Sequence, residues 1–150
     1  MTKSKIHFDS NSILLIHFEK AQFVNRFKNF FEEKGFDIIH ASSIEEAYPI
    51  LETQTVDIVV LDMDEDYDAA FKLCYHLKKK KDLQDIFVIA LSQAQERFDI
   101  FLDARTAEEK RWLNVDLFVH KPIGAKNLYL ILKKEIAKLK GIDARDLDSD

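Results

Sequence analysis

Residues 56–62 read Val56-Asp57-Ile58-Val59-Val60-Leu61-Asp62. The run is apolar, rich in β-branched residues and of strand length, and it ends in a carboxylate. Such a run reads as a strand buried on both faces, the pattern of a parallel sheet. In open parallel sheets ligands bind in the crevice outside the carboxyl ends of the strands, and Asp62 belongs there. More acid follows directly, at Asp64, Glu65, Asp66 and Asp68.

Outward from this stretch the chain alternates strand and helix patterns. Ile13 to Ile16 is a continuously apolar first strand. From about Ala21 to Lys34 the period turns helical, with Phe23, Phe27 and Phe30 at i, i+4, i+7 and Val24 and Phe31 beside them. Phenylalanine is abundant, 12 in all, and this stripe reads as core. Gly35 suits the position just past a helix end. Phe36 to His40 is a short second strand. Ser42 or Ser43 caps the next helix, each with a Glu three residues on. Pro49 falls inside that helix and predicts a kink or an early stop.

The central strand, Val56 to Asp62, precedes a helix from about Tyr67 to Lys81 with Ala70, Leu73, Cys74 and Leu77 inward. Its basic end, Lys78 to Lys81, reads as a solvated helix terminus beside a favourable dipole. Ile86 to Leu91 is the fourth strand and stops at Ser92. Phe98, Phe101, Leu102, Trp112 and Leu113 suggest a helix between about Gln95 and Leu113. Val115 to Val119 is the fifth strand and ends at His120-Lys121-Pro122. A last helix runs from about Ala125 to Lys140, with Leu128, Ile131, Leu132, Ile136 and Leu139 on one side, and Gly141 ends it. The order βαβαβαβαβα predicts an α/β doubly wound, flavodoxin-like fold: five parallel strands with helices on both faces and right-handed crossovers. The expected organisation is a loose polar arm over residues 1–11, one domain over 12–140, and an acidic tail or linker over 141–150.

Composition bounds the function. A chain of 150 residues suits one core. The net charge of −5 argues against a nucleic-acid-binding surface. Cys74 is the only cysteine, so no internal disulfide forms and a reducing, cytoplasmic setting is expected. No stretch reaches the roughly 18 apolar residues of a membrane span. His7, Asp9, Ser10, Asn11 and Ser12 rule out a signal-type apolar run near Lys3 and Lys5.

Strand ends carry the ionisable groups: His17, Phe18 and Glu19 after the first, Asp62 after the third, Ser92 after the fourth, Lys121 after the fifth. Strand order 2-1-3-4-5 puts Asp62, Ser92 and Lys121 around one pocket. A carboxylate, a hydroxyl and an ammonium there can bind or accept an anionic group.

Three segments in order, Asp57 to Asp62, Val88 to Ser92 and Asp116 to Pro122, resemble the receiver domain of bacterial two-component response regulators. The resemblance covers nearly all of residues 12 to 140. It implies that Asp62 accepts a phosphoryl group from a histidine kinase or phosphotransfer protein. It implies that Ser92 hydrogen-bonds the phosphoryl oxygen and that Lys121 pairs with it. It further implies that Phe118 changes rotamer with the hydroxyl, altering a protein-binding face of the fourth helix, fifth strand and fifth helix, and that the Lys121–Pro122 bond is cis.

The chain departs from that family at the rim. An acidic pair for Mg²⁺ is replaced by His17 and Phe18, and Glu19 comes one place late. Glu19, Asp62 and Asp64 remain as a weakened set for a hard cation. His17 reads as a hydrogen-bonded strand-end residue in preference to a metal ligand. Asp64, Glu65 and Asp66 read as solvated loop acids. Asp66 stands where the family has Pro, Ala70 where it has Gly, and the segment before Lys121 has extra length around Thr106 to Trp112.

Two functions follow: a phosphorylatable receiver, or a pseudo-receiver that binds proteins without phosphorylation, with Asp62 a relic carboxylate paired to Lys121. Output then comes from a protein partner, from self-association as a homodimer, or from sequence beyond Asp150. An enzyme is not expected. With only Gly35, Gly124 and Gly141 there is no glycine-rich phosphate loop, and no Ser-His or Cys-His pair presents itself.

Overall fold

The computed structural model of the chain describes residues 12–93 and 115–140. Strands β1 (Ser12–Ile16), β2 (Asp37–Ala41), β3 (Ile58–Asp62), β4 (Phe87–Ser92) and β5 (Leu117–His120) form one parallel sheet in the order β2-β1-β3-β4-β5. Helices α1 (Ala21–Glu33), α2 (Ile44–Thr53) and α3 (Tyr67–Lys79) and a last helix, Ala125–Lys140, cover it.

Alternation along the strands builds two cores. Ile13, Leu15, Ile58, Val60 and Ile89 pack with Phe27, Phe31, Leu132 and Ile136 of α1 and the last helix. Leu14, Ile16, Val59, Leu61 and Ala90 pack with Ala47, Leu51, Leu73 and Cys74 of α2 and α3. Every residue of β3 is buried, as an apolar run without alternation requires. The phenylalanine stripe of α1 is a chain of ring contacts: Phe23 to Phe27 at 5.9 Å, Phe27 to Phe31 at 4.3 Å, and Phe31 onward to Phe36 and Tyr129.

Local signals set the boundaries. Gly35 has φ 96°. Its N–H reaches Glu32 O and the Phe36 N–H reaches Phe31 O, the paired bonds of a Schellman end. Of the two serines, Ser43 is the cap of α2 and accepts from the Glu46 N–H, while the Glu46 carboxylate turns back to the Ser42 N–H. Pro49 does not stop α2 early. The helix continues to Thr53, whose hydroxyl donates to the Pro49 carbonyl.

Two strands begin two residues later than their apolar runs suggest, and in both an aspartate stands just before the strand. Asp57 stands just before β3 and accepts the Ser12 N–H of the neighbouring strand at 3.0 Å. Asp116 stands just before β5 and accepts the Val88 N–H at 2.8 Å. Helix α3 ends at Lys79, so Lys80 and Lys81 lie beyond it. On the last helix Leu128, Leu132 and Ile136 are buried and Ile131 is half-buried. The expected arm (1–11), the helix of 95–113 with its extra length, the tail (141–150) and the Leu139 side chain lie outside the described residues. No helix among the described residues is long and apolar enough to cross a membrane.

Candidate functional site

The carboxyl ends of β1, β3, β4 and β5 bring His17, Asp62, Ser92 and Lys121 to one rim. Asp62 is 2% exposed, and a buried carboxylate needs partners. Lys121 Nζ lies 2.8 Å from its Oδ1, which also accepts the Asp64 N–H at 3.1 Å. His17 Nδ1 lies 2.9 Å from Oδ2. An ionised carboxylate only accepts, so the facing imidazole nitrogen carries the hydrogen. Both oxygens of Asp62 are therefore engaged by donors of the chain itself.

His17 and Phe18 reach these positions with left-handed backbones, φ 76° and 66°. Non-glycine residues occupy that region at a cost of about 1 kcal/mol or more each. The turn is anchored by the His17 N–H on the Ala41 carbonyl and by His40 Nε2 donating to the His17 carbonyl at 2.7 Å. Phe18 stacks on Phe23, centroids 4.9 Å apart, and its ring faces Lys121 Nζ at 5.8 Å.

Asp64 is the residue whose role sequence reasoning missed. It is not a solvated loop acid. Its Oδ1 accepts from Ser92 Oγ at 2.8 Å and from the Tyr67 hydroxyl at 3.2 Å. Its Oδ2 accepts from the Gln93 N–H at 2.8 Å and faces Lys121 Nζ at 3.0 Å. Burial alone would push this carboxyl up, but bonds from Lys121, the Gln93 N–H and Ser92 outweigh it and hold it below the ordinary carboxylate range. Burial alone would likewise push Lys121 down, but Asp62 and Asp64 together hold its ammonium above the ordinary lysine range. Ser92 thus joins the site through Asp64, and its hydroxyl also meets that of Tyr67 at 3.1 Å. The available signal was position: Asp64 stands two residues past the strand-ending acid and Tyr67 opens the following helix.

Glu65 and Asp66 are exposed, as expected of solvated loop acids, and each also holds backbone N–H groups. Glu65 Oε1 accepts the Ile44 N–H at the start of α2, and Asp66 is the cap of α3, accepting from Asp68 and Ala69. An aspartate after the site is thus explained at the position where a proline is usual. Phe118 is half-buried beside β4. The Lys121–Pro122 bond is cis. A cleft of about 330 Å³ opens over Asp62, with Phe18, Glu19, Phe23, Lys121 and Pro122 among its walls.

The resemblance implies a Mg²⁺ ion at this rim, and the donors present do not fit one. The two β1-end positions supply an imidazole already bonded to Asp62 and an apolar ring. An ammonium bridges Asp62 and Asp64. Glu19 is exposed on the cleft wall, and among the described residues no group of three or more His, Cys, Asp or Glu is placed to hold a metal.

The response regulator receiver domain model matches residues 14–133. The transcriptional regulatory protein YvrH of Bacillus subtilis is 31% identical over 94 residues, which is 62% of this chain and 39% of that protein. The match spans well under half of that relative's length. A response regulator from Thermotoga maritima has a similar structure, with TM-score 0.65 and 22% identity over 85% of this chain and 98% of that one. The phosphorylated cyanobacterial phytochrome response regulator RcpA is similar with TM-score 0.62 and 19% identity, over 86% and 92%. Those two likenesses show the fold. With the family model covering most of the chain over that fold, the chain belongs to the response regulator receiver domain family of two-component signalling.

Proposed function

We propose that this receiver domain takes a phosphoryl group on Asp62 from a histidine kinase or phosphotransfer protein, and does so without a resident divalent cation. The observation that carries the reading is the Lys121 ammonium 2.8 Å from a buried, strand-ending carboxylate that opens onto a cleft. In the transfer a carboxylate oxygen of Asp62 forms the new bond to phosphorus. The bond from phosphorus to the donor's imidazole nitrogen breaks, and that nitrogen keeps the electron pair. Lys121 balances the charge gathered on the phosphoryl oxygens. A hydrogen bond from His17 helps hold Asp62 in place. RcpA, a protein of the same fold, is described in its phosphorylated form.

The acyl phosphate brings extra charge and acceptor oxygens to the rim. Ser92 and Lys121 are the groups within reach, and Phe118 lies on the strand beside Ser92. A change there can alter the face formed around β5 and the last helix, through which a downstream protein would read the state. The test is intact mass after incubation with acetyl phosphate, with and without Mg²⁺. A gain of one phosphoryl group in the wild type, absent in Asp62→Asn, is the expected result. No gain under either condition would leave a domain that binds partners without phosphorylation.

A further inference from the structure

We infer that Asp64 is a built-in anion seated in the cradle of Ser92, the Gln93 N–H and Lys121, so that a phosphoryl group arriving on Asp62 must displace it. Three elements converge on this one carboxylate. The end of β4 gives the Ser92 hydroxyl at 2.8 Å and the Gln93 N–H at 2.8 Å. The end of β5 gives Lys121 Nζ at 3.0 Å, and the start of α3 gives the Tyr67 hydroxyl at 3.2 Å. A hydroxyl, a backbone N–H and an ammonium pointing at one place make an anion site. A carboxylate has about four acceptor positions, and four donors face this one.

The occupancy matters because the donors are shared. Ser92 has one hydroxyl hydrogen, and it is committed to Asp64, so it cannot at the same time bond a phosphoryl oxygen. Lys121 lies between Asp62 and Asp64. A phosphoryl group brings about −1.5 to −2 charge, and a carboxylate held beside it in the same low-dielectric rim repels it. Asp62 is 2% exposed and fixed at the strand end, whereas the Asp64 side chain is 20% exposed and lies past that end. Asp64 is the one that can leave.

The consequence is a site that rests with its hydroxyl already gripping an anion, one charge short of the group it would hold when modified. Removing the Asp64 charge clears the cradle. The effect on phosphoryl uptake rests on the reading of Asp62 as acceptor; the occupancy does not.

The test uses ¹⁵N-labelled wild type, Asp64→Ala and Asp64→Asn, titrated with beryllofluoride as a phosphoryl analogue. Freeing Ser92 and Lys121 should lower the half-saturating concentration by about tenfold or more. Equal concentrations for wild type and both variants overturn the inference and leave the acceptor reading intact. Refusal of the analogue by all three overturns the acceptor reading. The occupancy is then decided by the Gln93 amide and Lys121 Nζ signals of the unliganded proteins. They shift in Asp64→Ala if the carboxylate fills the cradle, and they stay where they are if it does not. Asp64→Asn keeps the side-chain shape and serves the same comparison should the alanine variant not fold.

Discussion

His17 Nδ1 stands 2.9 Å from Asp62 Oδ2, on the oxygen that Lys121 leaves open. A hydrogen-bond donor thus takes a place at which a hard cation would need a free carboxylate oxygen. His17→Asp with Phe18→Asp should create a divalent site that binds more tightly than the donors now at this rim can. The check is Mn²⁺ broadening of the Asp62 to Asp64 amide signals. The double variant should broaden at concentrations that leave the wild type sharp. Phe18 is buried against Phe23, so His17→Asp alone is the companion variant. Broadening of the wild type at the same concentrations would sink the idea.

Lys121 bridges two carboxylates, one of them buried. Lys121→Met leaves Asp62 with one fewer donor, and the cost should be about 2 kcal/mol or more. Asp62→Asn in the same chain removes the stranded charge and should recover a substantial part. Urea unfolding of the two single variants and the double closes the cycle. Strict additivity would show that the 2.8 Å contact carries no coupling.

The site also sets a pH dependence of stability at both ends. The Asp64 carboxyl is lower in the folded chain than its ordinary value near 3.9. Its contribution is present above that value and lost as pH falls through the lowered one. The Lys121 ammonium is raised above its ordinary value near 10.4. Its contribution is full below that value and lost as pH rises through the raised one. Urea midpoints measured across pH should show Asp64→Asn losing less stability than wild type on acidification, and Lys121→Met losing less on the alkaline side. Parallel curves for variant and wild type would count against these shifts.

The sheet was readable because burial on both faces leaves a plain mark. Runs such as Ile13 to Ile16 and Ile58 to Leu61 have no polar break, and their spacing leaves room for one helix each. Strand starts were misread where an aspartate ties the strand to its neighbour from just outside, as Asp57 and Asp116 do. Periodicity sees the apolar residues and not that side-chain bond. The contact of Asp62 with Lys121 followed from strand order and from which residues end the strands. Asp64 did not follow, because its position two residues past Asp62 is a weak signal among the several carboxylates of one acidic loop. Its place is set by the donors of Ser92, Gln93 and Lys121, which come from 28 to 57 residues further along the chain. The His17 bond to Asp62 needed the left-handed turn at His17 and Phe18, a backbone state uncommon for any residue other than glycine and least expected of the bulky Phe18.

Cys74 offers a probe of how the sheet's second face opens. It is 2% exposed on α3, among the core that includes Leu73, Ala47 and Leu51. Burial pushes its thiol up to about 12. At pH 8 the thiol would then be almost entirely in its unreactive protonated form. Native protein should therefore leave an aromatic disulfide reagent almost untouched, while urea-unfolded protein reacts at the speed of a free thiol. Between these limits the rate should rise with urea in step with the opening of α3, because the thiol must leave the apolar packing before it can ionise. Tyr48 gives an independent view of the same region. Its hydroxyl is raised, first by burial and then by Cys74 and Glu45, and its ring meets His76 at 4.9 Å across α2 and α3. Its ultraviolet ionisation step should move down toward the ordinary tyrosine range over the urea concentrations at which Cys74 becomes reactive. Fast labelling of Cys74 in the fully folded protein would show that α3 opens apart from the rest of the domain.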